Sequence, residues 1–177
     1  MGMYTAFRGK VIIKAEYKEL VELINDGDWH IAVDKYPFLK EYYDIERSTL
    51  IPLSKEVIQN RCNEVGSWTK AGELDLETDP LDWNTDSTYF TNLKGLEWTF
   101  IACLKNYADK NHSNKTPIEA FIEQVLTEII SEIINIQVYY EEWDEPVEYE
   151  FQKIKILNKF FKKKVVNKIV LKNVERK

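Results

Sequence analysis

The stretch YYEEWDEPVEYEF, residues 139–151, sets six carboxylates among aromatic rings and a single proline. Four chemistries suit such a mixture: acid–base catalysis by paired carboxylates, a metal site, an acidic docking surface, or the wet face of an ordinary hairpin. Acid–base work needs burial or close pairing to push two carboxyl pKa values apart. Glu141, Glu142, Asp144, Glu145, Glu148 and Glu150 gather instead around a hairpin tip, where water keeps carboxylates ordinary, and no nucleophile lies nearby in the chain. The pattern favours docking over catalysis. Glu141, Glu142, Trp143, Asp144 and Glu145 are the leading candidates to meet a basic partner, because exposed rings dominate interface energetics and carboxylates steer the encounter.

A second acidic run, DLETDPLDWNTD, spans Asp75 to Asp86 and adds Asp82, Trp83 and Asp86 to the docking set. Asp75, Glu77, Asp79 and Asp86 fall at positions 1, 3, 5 and 12 of a calcium-loop spacing, but Pro80 stands where that loop needs glycine. A turn-rich acidic loop is the simpler reading. The tripeptide EYK (Glu16, Lys18) matches the last letters of a metal-dependent nuclease motif, yet the two residues do not share a face of the predicted helix. No P-loop, dinucleotide fingerprint or nucleophile elbow occurs. Cys62, Cys103, His30 and His112 do not make a zinc spacing, so no metal or cofactor is expected. His112 reads as a solvated loop residue and His30, beside Trp29, as structural.

Charge is divided sharply along the chain. Residues 152–177 carry nine Lys and Arg176 against Glu175, a formal +9; the whole-chain −6 then leaves −15 on residues 1–151. An acidic body repels a phosphate backbone, which argues against nucleic-acid binding by residues 1–151; it either attracts a basic protein or is a solvated surface that serves solubility. The basic tail, QKIKILNKFFKKKVVNKIVLKNVERK, sets Ile154, Leu157, Phe161 and Val165 at helical spacing, with Lys159, Lys162, Lys163, Lys164 and Lys168 among its cations. A basic amphipathic helix is predicted there. It has three uses: packing on the acidic body, contacting nucleic acid or another partner, or lying on an anionic membrane surface.

The elements that must position these residues follow from periodicity. Residues 4–14 alternate, with Thr5, Phe7, Gly9, Val11 and Ile13 on one face, and predict a half-buried strand. Tyr17, Leu20, Val21 and Ile24 mark a helix that Gly27 ends. WHIAV (29–33) reads as a short strand, PFLKEYYDI as a helical turn or two, and Ser54 as the cap of a helix ending at Gly66. The stretch 66–95 is a long Gly-, Asp- and Asn-rich excursion with one or two short strands. LEWTFIACLKNY, apolar on both faces, predicts a central strand, with Trp98 in the core. Thr116, Pro117 and Glu119 form a capping box that opens a helix carrying Ile118, Phe121, Ile122, Val125, Leu126, Ile129 and Ile133 inward. Two strands then flank a turn near Asp144–Glu145, with Val147, Tyr149 and Phe151 directed to the core.

The predicted architecture is α+β: a mostly antiparallel sheet with helices on one face, in the order β-α-(mixed)-β-α-β-β, followed by a basic amphipathic C-terminal segment. Residues 1–151 are expected to form one acidic domain and 152–177 the appended segment. No signal peptide or apolar run of transmembrane length is visible, so a cytoplasmic setting is expected. Eighteen Ile against seven Ala, and 20 Lys against four Arg, point to an AT-rich coding sequence of the low-GC bacterial or phage kind. The functional expectation is a non-catalytic protein-binding protein, an inhibitor of the immunity or anti-defence type, that occludes a basic partner. Two alternatives stand beside it: an enzyme or ligand binder with its site in 66–95, and a nucleic-acid or membrane module acting through the tail.

Overall fold

The computed structural model describes residues 4–54, 91–112, 114–140, 142–143, 145–157 and 163–172, with 153–157 and 163–167 described by backbone. Six antiparallel strands form the sheet: β1 (Thr5–Ile13), β2 (Asn92–Lys94), β3 (Glu97–Leu104), β4 (Ile130–Tyr140), β5 (Val147–Leu157) and β6 (Lys163–Leu171), in spatial order β2-β3-β1-β4-β5-β6. Three helices follow β1: α1 (Lys18–Asp26), α2 (Trp29–Lys35) and α3 (Lys40–Tyr43). A helical run over 117–129 precedes β4. Its α-helical ends, α4 (Pro117–Ala120) and α5 (Thr127–Ile129), flank a π-helical stretch, Phe121–Leu126. The chain is an α+β fold.

The helices cover one face of the sheet. Phe7, Val11 and Ile13 of β1 and Trp98, Phe100, Ala102 and Leu104 of β3 bury against Leu20, Val21 and Ile24 of α1, Tyr42 of α3, and Phe121, Val125 and Leu126. Rings dominate the centre: Phe100 lies 4.7 Å from Trp98, 5.2 Å from Phe7 and 5.9 Å from Phe121, centroid to centroid. The Trp98 indole N–H donates to Asn25 Oδ1 at 2.9 Å, both side chains fully buried. Such a bond removes the desolvation cost of burying Trp beyond its area. The opposite face carries a small cluster of Ala6, Cys103 and Tyr139. The central-strand reading of LEWTFIACLKNY therefore holds for β3. Gly27 ends α1 with a left-handed φ of 86°, the conformation glycine adopts without a Cβ clash.

Three expectations are overturned. WHIAV is helical, within α2, because Trp29 and Ala32 (i, i+3) bury together while Ile31 stays 43% exposed. A run so short fits either period, and the i, i+3 burial decides it. The helix opened by the capping box stops at Ile129, and Ile133 belongs to β4, where β-branched residues pack well on a pleated surface. The described part of the basic tail is extended rather than helical: β5 continues to Leu157, and β6 returns along it in register from Tyr149↔Leu171 to Leu157↔Lys163. The charge step at 151/152 thus falls inside one strand. The far end of the tail packs on the body, with Ile169 in the main core and Lys172 Nζ 3.1 Å from Glu148 Oε2.

Among the described residues β4 and β5 share two rungs, Gln137↔Glu148 and Val138↔Val147. The register of β4 against β1 slips between Lys10/Val11 and between Ile12/Ile13, the mark of bulges, which bend a strand; beyond its two rungs with β4, β5 pairs with β6.

Candidate functional site

A groove of about 380 Å³ lies beside the β4–β5 turn. Its walls include Tyr140 at the end of β4, Trp143 in the turn, Tyr149 on β5, Tyr107 from the loop after β3, and Glu119 on α4. Among the described residues Glu119 is the only charged one in that wall. Trp143 and Tyr107 are 42% and 48% exposed, unusually open for such large rings. The Trp143 backbone N–H donates to Tyr140 O at 2.8 Å and fixes the turn, and the two rings meet edge to face at 5.9 Å.

Local sequence builds each wall. Thr116 caps α4: its Oγ1 accepts from Glu119 N at 3.2 Å, while Glu119 Oε2 accepts from Thr116 N at 3.0 Å. This reciprocal pair pins the Glu119 carboxylate at the mouth of the groove. Asn106 Oδ1 accepts from Ile118 N at 3.0 Å, tying the Tyr107 loop to the helix start. Further along that loop the Asp109 carboxylate accepts from Glu46 N at 3.0 Å, Asn111 N at 2.9 Å and His112 Nδ1 at 2.9 Å. These bonds, the Glu46 amide first, hold Asp109 down at a pKa of about 2. The loop is therefore anchored at both ends. Burial, with the Glu119 charge adding to it, raises the pKa of the half-buried Tyr149 hydroxyl.

The predicted docking residues divide as follows. Glu142, Trp143 and Glu145 are exposed on the turn beside the groove. Glu141 and Asp144 lie outside the described residues, as do Asp82, Trp83 and Asp86, the calcium-like spacing and the helix capped by Ser54. Glu148 does not face a partner alone: Lys172 and then Gln137 hold its carboxyl below the usual range. Lys168 is exposed on β6; Lys163 and Lys164 open that strand, and Lys159 and Lys162 lie outside the described residues. His112 is 44% exposed, as expected of a loop residue. His30, expected to be structural, is exposed on α2. Sequence reasoning missed Tyr107 and Glu119 as partners of the turn. The capping box that fixes Glu119 was visible, but its nearness to Trp143 depends on pairing over long range.

Among the described residues no three His, Cys, Asp or Glu side chains converge as a metal site, and no helix is long and apolar enough to cross a membrane. No protein-family model matches the chain, no curated protein matches its sequence, and no solved structure matches its fold.

Proposed function

We propose that this chain is a non-catalytic binding protein that docks on a basic protein partner through the β4–β5 turn and the ring-lined groove beside it, acting as an inhibitor by occlusion. One observation carries the reading: among the described residues the groove pairs four aromatic rings with a single carboxylate, with Trp143 open at its edge. Rings around a Lys or Arg head contribute about 0.5–2 kcal/mol each through cation–π attraction, more as water leaves. The partner's cationic side chain enters the groove, and Glu119, Glu142 and Glu145 surround it with negative charge. The −15 on residues 1–151 steers that partner from a distance and speeds association. An immunity or anti-defence role against a nucleic-acid-handling enzyme fits, since such enzymes present basic grooves that carboxylates occupy. A cytoplasmic setting belongs to this reading.

The test is retention from the native host's lysate on immobilised wild-type chain and on Trp143→Ala chain, followed by mass spectrometry. A basic protein held by the wild type and lost from the variant supports docking at the groove. Equal retention on both, or retention of no basic protein, sinks it.

A further inference from the structure

A second, larger concavity of about 720 Å³ opens on the other side of α3, between the start of α2, the 47–54 segment and the end of β3. Its wall has the opposite electrostatic character. Among the described residues His30, Arg47 and Lys105 line it and no carboxylate does, in a chain where acids outnumber bases 30 to 24. Tyr4, Trp29 and Tyr43 add planar surface. Lys105 lies over the Tyr4 ring at 5.5 Å and makes no ion pair among the described residues. Arg47 has Glu46 as an ion-pair partner at 2.7 Å, but that carboxylate is 66% exposed. An exposed pair is weak, so an incoming anion can share or displace it.

Two further observations bear on the site. Trp29, only 3% exposed, lines the cavity. Arg47 holds a left-handed φ of 67°, uncommon for a side chain of this size. Backbone outliers of this kind gather at ligand clamps.

We propose that this cavity binds a small anionic ligand bearing a planar ring, of the mononucleotide class. Arg47 and Lys105 meet its anionic group, and Tyr4 and Tyr43 offer planar surface to its ring. The volume lies within the range of small-molecule sites. A polynucleotide is the poorer fit, because the −15 of residues 1–151 repels an extended phosphate backbone while a single nucleotide meets only the local field of the cavity.

Isothermal titration of the full chain with ATP, inorganic triphosphate and adenosine tests this, with the Trp29 indole ¹⁵N–¹H resonance as a local reporter. The expected result is ATP binding with a Kd below about 1 mM, the start of specific affinity. Triphosphate should bind at least tenfold more weakly, adenosine should give no heat, and the Trp29 resonance should move. Arg47→Asn keeps a residue that tolerates the left-handed backbone, so it removes the guanidinium without straining the fold. Arg47→Asn and Lys105→Gln should each weaken ATP at least tenfold, while Lys168→Gln, on the exposed face of β6, leaves it unchanged. No ATP binding, an unmoved Trp29 resonance, triphosphate binding as tightly as ATP, or equal loss in Lys168→Gln would overturn the proposal.

Discussion

Replacing Gly9 by alanine tests how the core is closed. On backbone grounds alone the change should help: Gly9 sits inside β1, and Gly→Ala at a compatible position stabilises by about 0.4–1 kcal/mol through the unfolded chain. The structure reverses that sign. A Cβ on Gly9 would lie 2.2 Å from Phe100 Cζ, 2.5 Å from Cε1 and 3.0 Å from Cε2. The ring is not free to swing aside, because Trp98, Phe7 and Phe121 hold it at 4.7, 5.2 and 5.9 Å. Overpacking of this kind costs about 1–3 kcal/mol. For a chain of this length that is a fall in Tm of about 2–12 °C. The assay is equilibrium unfolding in denaturant, with an unchanged slope confirming that only stability moved. Phe100→Ala provides the control. It costs about 3–5 kcal/mol by itself, but in that background Gly9→Ala should be neutral or stabilising. A neutral Gly9→Ala in the wild type, or the same loss with and without the Phe100 ring, would refute the packing argument.

Two further perturbations probe the walls of the groove. Thr116→Ala removes the acceptor for Glu119 N and half of the capping box, and should cost about 1 kcal/mol in denaturant unfolding; an unchanged midpoint would show that the cap is dispensable. Asp109 titrates low in the fold, so its contribution is complete above the ordinary carboxylate pKa and is lost as pH falls from there through about 2. Unfolding midpoints measured from pH 5 to pH 2 should therefore fall less steeply in Asp109→Asn than in the wild type, and parallel curves would remove Asp109 as an anchor of the loop.

What could be read along the chain was local. The alternation of β1, the left-handed stop at Gly27 and the Thr116–Glu119 capping box each depend on residues within a turn or two of one another, and each stands where periodicity placed it. The inward set Val147, Tyr149 and Phe151 also packs against the core as alternation required. The misreadings share one cause. Ile129 and Ile133 keep helical spacing, but the edge of β1 is available from Ile13 to Thr5, and the backbone from Ile130 onward pairs there instead. The tail looks helical by the spacing of Ile154, Leu157, Phe161 and Val165, yet Lys153–Leu157 also alternates, and pairing with β6 selects the period of two. For the groove, Trp143 and its acids were legible, whereas Tyr107 arrives from a loop more than thirty residues earlier and is brought there by contacts that span elements.

The most direct measurement of the docking account is the affinity of the captured partner as a function of salt, for the wild type, Trp143→Ala and the double reversal Glu142→Lys/Glu145→Lys. A buried aromatic anchor contributes at least about 2 kcal/mol, so Trp143→Ala should raise Kd by roughly 30-fold. The double reversal should weaken binding and flatten its dependence on salt, because rim charges act through screened attraction. If both variants bind with the affinity and salt slope of the wild type, the turn and its groove are not the docking site.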